Sequence, residues 1–160
     1  MGYISSPLTH RAFFATLHCL TGCAIGEVLG VVIGTALGWG NVATIGLAIV
    51  LAFLFGYLLT MTSVLRSGLT VGAAAGVALA ADTVSIAVME LVDNAVLLVV
   101  PGAMEAGVSD ALFWASLALA LAVAFVVTLP VNRWLIARGR GHAVAHGLHG
   151  HSHAARIPLS

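Results

Sequence analysis

His18-Cys19-Leu20-Thr21-Gly22-Cys23-Ala24-Ile25-Gly26-Glu27 stands early in a long apolar run and brings together a histidine, both cysteines of the chain and a carboxylate. Gly22, Gly26, Gly30, Gly34 and Gly38 follow one another at intervals of four. A helix turns about 100° per residue, so a four-residue step advances about 40° and the glycines wind slowly as one stripe. Cys19, Cys23 and Glu27 share the interval and form a second stripe beside the first. The pattern is helical: a smooth face for close packing, flanked by a line of potential ligands.

Composition says where such a helix belongs. The chain has 160 residues, 61 % hydrophobic and 8 % charged, with a mean hydropathy of +1.11. Soluble domains carry about 25 % charged residues, so the expected surroundings are a lipid bilayer. Six arginines balance six acids and there is no lysine, which leaves no clustered basic face for nucleic acid. Two cysteines four residues apart make no secreted disulfide framework. The first apolar run is too long for a cleaved signal peptide and reads as a retained spanning helix.

Working outward, a polar lead over residues 1–11 gives way to a first span over about 12–37. Gly38-Trp39-Gly40-Asn41 reads as a tight turn, with Trp39 suited to the interface. A second span covers about 42–65 and a third about 69–100, stopped by Pro101-Gly102. Gly107-Val108-Ser109-Asp110 supplies a loop and an N-cap for a fourth span over about 111–137, which Pro130 is expected to kink. Each stretch suffices to cross the hydrocarbon, which takes about 20 helical residues. Residues 138–160 form a glycine- and histidine-rich tail containing His142, His146, His149, His151 and His153, expected to be disordered without a ligand. The expected fold is therefore all-α, a polytopic membrane protein of four transmembrane helices.

Arg11, Arg66, Arg133, Arg138, Arg140 and Arg156 fall on one side of this arrangement, and Glu105 and Asp110 on the other. The positive-inside rule then puts both termini and the loop between the second and third spans in the cytoplasm.

Ionisable groups inside spans cost about 2.5–3.5 kcal/mol each at mid-helix on insertion scales, so each needs a reason. The first helix holds His18, Cys19, Cys23 and Glu27; the third holds Asp82, Met89, Glu90 and Asp93 with Thr83, Ser85 and Asn94. The second and fourth have almost none before Asn132, so two helices are expected to carry the polar load. Counting a rise of about 1.5 Å per residue from Ala12 and Leu69 puts Glu27 and Asp82 at similar depth, with the cysteines on the cytoplasmic side of them and Met89, Glu90 and Asp93 beyond. On a helical projection Asp82, Met89, Asp93, Glu90 and Ser85 share one broad face. Gly72, Gly76 and Ala80 form another small-residue series, for which the glycine stripe of the first helix is the natural partner.

Thiolate, imidazole and thioether suit soft or borderline metals such as copper(I) and zinc, and carboxylates suit zinc and harder cations. The expected function is binding or transport of copper or zinc along a polar path between helices 1 and 3. The metal ligands would be His18, Cys19, Cys23, Glu27, Asp82, Met89, Glu90 and Asp93. The five tail histidines would load or deliver metal, with a metal chaperone as a possible partner. Bland readings stand beside these: the cysteines and Met89 as packing, His18 as an interfacial group, and Glu27 as a protonated acid bonded to a helix carbonyl. Two further functions compete. One is a proton or cation channel in which the carboxylates act alone; the other is a structural module whose glycine stripes drive homo-oligomerisation. Thiol–disulfide chemistry is the weakest option, and no phosphate loop or nucleophile elbow marks an enzyme.

Three segments carry a resemblance: His18 to Glu27, Ala81-Asp82-Thr83-Val84-Ser85-Ile86-Ala87-Val88-Met89-Glu90-Leu91-Val92-Asp93-Asn94, and Pro130-Val131-Asn132-Arg133-Trp134-Leu135-Ile136. With them the chain resembles, over roughly residues 10–140, a family of small bacterial four-helix membrane proteins known only as a domain of unknown function. The resemblance implies a membrane location and four spans, and lends no catalytic or binding residue.

Overall fold

A computed structural model describes residues 7–66, 68 and 70–138, and the tail histidines, Arg140 and Arg156 lie outside this range. Four helices follow in order: α1 (Pro7–Ala36), α2 (Asn41–Leu65), α3 (Val71–Val99) and α4 (Ala111–Ala137). The described chain is all-α. α1, α2 and α4 are each long and apolar enough to cross a membrane, and α3 makes a fourth span if its two bent segments are taken together. Large apolar side chains such as Val50, Leu54, Leu91, Leu98 and Val126 face outward, while Asp82, Glu90 and Asp93 are buried. Apolar surface outside and acids inside is the inverse of a soluble domain, and it is how a multi-pass membrane protein is built.

Helix α1 begins five residues before the expected start of its span. Pro7 opens it, and proline suits the first turn because its fixed φ is already helical and its missing N–H has no partner to lose. It ends at a Schellman turn: Trp39 N–H donates to the Gly34 carbonyl at 2.8 Å and Gly38 N–H to that of Thr35 at 3.1 Å. Gly38 takes a φ of +66° there, a conformation that costs glycine little. Thr70 caps α3, its hydroxyl accepting from Ala73 N–H. Asp110 occupies the expected N-cap position of α4, but its carboxylate turns back to accept from Gly107 N–H at 2.8 Å and makes no cap bond.

Consecutive helices run antiparallel and close a ring, with α1 against α2 and α4, and α3 against α2 and α4. The α1–α2 seam is the closest approach. A Cβ on Gly22 would lie 2.7 Å from Gly56 N, and one on Gly30 would lie 2.6 Å from the Ala48 Cα. The glycine stripe of α1 therefore packs on α2, which corrects the expected pairing with α3. The reason lies in α2 itself: Thr44, Ala48, Ala52, Gly56 and Thr60 form a small-residue stripe at the same interval of four, so two smooth faces meet. At Gly72 and Gly76 of α3, an added Cβ would meet nothing within 4 Å.

Helix α3 bends by 44° between Val71–Ala80 and Asp82–Val99. Thr83 donates its hydroxyl back to the Leu79 carbonyl at 2.6 Å, a local bond that competes with the helix ladder and bends it. The Tyr57 hydroxyl of α2 lies 2.9 Å from Thr83 Oγ1 and holds the bend from outside. Asp82 sits at this bend.

Candidate functional site

α1 and α3 stand diagonally across the bundle, and their polar stripes meet near its centre. Cys19 Sγ lies 3.8 Å from Asp82 Oδ1. One turn on, the Cys23 thiol stands within electrostatic reach of the Glu90 carboxyl. Glu27 then stands within electrostatic reach of both Glu90 and Asp93. The order along α1 matches the order along α3, and all six side chains are buried.

This register corrects the expected one, in which Glu27 was level with Asp82. Measured from the true helix starts at Pro7 and Val71, Cys19 lies about 18 Å along α1 and Asp82 about 17 Å along α3; Glu27 lies about 30 Å and Asp93 about 33 Å. The early start of α1 accounts for most of the shift. Thiols and acids therefore face each other pairwise instead of occupying opposite ends of a ladder.

The other two helices also contribute, contrary to the expectation that α1 and α3 carry the polar load alone. Thr60 of α2 donates a hydrogen bond to Asp82. From α4, Asn132 Nδ2 donates to Thr16 Oγ1 at 2.8 Å, and Asn132 Oδ1 accepts from the Ser85 hydroxyl. Asn132 thereby ties α1 to α3. The signal for these residues is present in the sequence. Thr60 continues the small stripe of α2, and Ser116, Ala120, Ala124, Thr128 and Asn132 form a buried stripe of their own at intervals of four.

Not every candidate ligand joins the centre in the same way. Met89 is fully buried and packs with Cys19, Cys23, Ala52, Ile86 and Ala124, so its thioether lines an apolar plug around the thiols. His18 is half-buried and lies about 100° around α1 from Cys19, off the face that meets α3. Among the described residues, no three histidine, cysteine, aspartate or glutamate side chains converge closely enough to hold one metal ion together. The five tail histidines lie outside the described residues.

Burial of the acids is their chief electrostatic fact. Between Arg11 and Arg66, and again between Arg66 and Arg133, the sequence has no arginine or lysine. Glu90 Oε2 and Asp93 Oδ1 are buried without a hydrogen-bond partner among the described residues. An ionised carboxylate in such a place has lost its water, and only a proton or a bound cation restores the balance.

Comparison with known proteins adds one match. The family described as Domain of unknown function (DUF4396) matches residues 9–141. The chain belongs to it. No curated protein and no solved structure matches the chain.

Proposed function

We propose that this protein passes a cation along the core between α1 and α3, with a divalent transition metal, zinc before copper, as its cargo. The observation behind the reading is the register. Cys19 with Asp82, Cys23 with Glu90 and Glu27 with Asp93 set a group of α1 against an acid of α3 at three successive levels. A thiol beside a carboxylate suits a borderline metal, whereas copper(I) favours paired soft sulfurs, and here each cysteine faces an acid. Paired ligands at successive levels favour passing an ion on over storing it. The bend at Asp82 also fits, since transporters place ion sites where a spanning helix is interrupted.

In this reading the arginine end faces the cytoplasm of a bacterial inner membrane, four helices span it, and the protein works as a homo-oligomer. The tail histidines receive or deliver metal on the same side, where a metal chaperone would meet them. The protein performs no covalent chemistry on its cargo.

Proteoliposomes loaded with a zinc indicator and a pH indicator test the proposal. Zinc uptake should fall about tenfold or more in Cys19→Ser/Cys23→Ser and in Asp82→Asn, the scale expected when a metal's supporting groups are removed. Negligible copper and zinc movement in wild type and variants alike would overturn it. A second reading, proton conduction by the acids alone, is favoured by the partnerless Glu90 and Asp93 oxygens. It requires proton flux that depends on Asp82 and Glu90 and is indifferent to the cysteines.

A further inference from the structure

At the end of the bundle away from the arginines, a cavity of about 180 Å³ lies between the α1–α2 turn and the α3–α4 loop. That volume holds several waters. Its wall carries polar groups from three elements: Thr35 of α1, Thr44 of α2 and Glu105 of the α3–α4 loop, with Trp39 and Val31 beside them. Glu27 also lines it. Only 6 % of Glu27 is exposed, and its carboxyl has no hydrogen-bond partner among the described residues. This buried acid borders a cavity large enough to hydrate it.

We infer that this cavity is a cation inlet, and that Glu27 is the group at which a hydrated divalent cation leaves it for the core. The inference rests on the cation-path reading above and names its access site. Glu105 is exposed in the α3–α4 loop, where it draws cations toward the opening. The Thr35 and Thr44 hydroxyls offer oxygen ligands that replace part of a hydration shell. Glu27 is the one acid that belongs to both compartments, since it lines the cavity and lies within electrostatic reach of Glu90 and Asp93.

Thiol labelling of purified full-length protein tests the inlet without relying on transport. A cysteine at Val31 or at Thr35 (Val31→Cys, Thr35→Cys) should react with a charged methanethiosulfonate, while buried Cys19 and Cys23 stay unlabelled in the parent protein. Manganese(II), which prefers oxygen ligands over a lone thiol, should slow that labelling about fivefold or more. The protection should vanish when Glu27→Gln is added to either variant. No labelling at both positions would mean that the cavity is closed to solvent, and unchanged protection in Glu27→Gln would mean that Glu27 holds no cation. Either result overturns the inlet, even if zinc flux through wild type is normal. Conversely, labelling and Glu27-dependent protection in a protein that moves no metal would support the inlet and count against the transport reading.

Discussion

α1 carries two stripes side by side, and each meets a different helix in a different way. Its glycines meet α2 backbone to backbone, so close that a Cβ would overlap Gly56 or Ala48. Its Cys19–Cys23–Glu27 stripe meets α3 across the bundle through side chains, with a sulfur–oxygen distance of 3.8 Å at the first level. In lipid no hydrophobic effect drives helices together, so the glycine seam holds by close packing. The polar seam contributes little to holding the fold, since buried carboxylates are costly in lipid. One face of α1 therefore packs against its neighbour and the adjoining face carries the polar groups to which a function is proposed, and substitutions should separate the two.

The largest effect is expected on the packing side. Gly26→Leu places a branched side chain against the backbone of Leu51 and Ala52, where no rotamer change can clear it. Overpacking of this kind costs about 3 kcal/mol or more when the neighbour is backbone. Thermal unfolding in detergent should show a variant that is barely folded or aggregated. A midpoint within a few degrees of wild type would mean that the seam is loose and that the contrast between the stripes fails.

Asn132→Ala probes the tie across the bundle. It removes the donor to Thr16, whose hydroxyl keeps its own bond to the Ala12 carbonyl, and the acceptor for Ser85, whose hydroxyl must find a new partner. Interhelical hydrogen bonds in membranes are worth about 0.6–1.7 kcal/mol, and the expected loss of stability is about 1–2 kcal/mol. Ser85→Ala, which breaks only the Ser85 bond, should lose nearly as much as Asn132→Ala if that bond dominates; a much smaller loss assigns the role to the Thr16 bond.

Glu90→Gln sharpens the comparison from the other side. The amide keeps the shape and removes a buried charge site, so stability should stay within about 1 kcal/mol of wild type or rise. Cation flux should fall about tenfold. A variant that loses stability as Gly26→Leu does, and flux only in proportion, would make Glu90 a structural residue and the polar seam a second packing surface.

The division between the stripes was legible in the sequence as a pattern, because periodicity of four reports which residues share a face. The four helices were legible too, from apolar length and the glycine- and proline-rich breaks. The partner of each face was not. Gly22 to Gly38 invite any small-residue stripe, and α2 and α3 both offer one; the choice of α2 follows from the short Gly38–Gly40 turn and from the Ala48–Ala52–Gly56 series. Nor was the register legible. Depth was counted from the first strongly apolar residue, whereas Pro7 starts the helix earlier, and five residues of rise is about 8 Å, enough to pair Glu27 with the wrong acid. Asn132 and Thr60 were given no part in the polar core because single polar residues in apolar helices carry no periodic signal unless the small residues around them are counted as well.

The smallest effect on stability concerns the stripe that found no partner. Gly72 and Gly76 are exposed on α3, and a side chain there would meet open space within one subunit. Gly76→Ala should therefore leave the monomer unharmed, and removing glycine from a helix interior favours it by up to about 1 kcal/mol. Gly72→Leu makes the sharper experiment. A lone subunit should tolerate it as well as it tolerates alanine, because the added side chain points into lipid. If subunits associate through this face, leucine should break the oligomer at unchanged subunit stability, read by crosslinking and by size in detergent. Small-residue stripes would then divide by partner: that of α1 closes the subunit, and that of α3 joins one subunit to the next. An intact oligomer in Gly72→Leu/Gly76→Leu would leave the α3 stripe to lipid and place any subunit contact on another face.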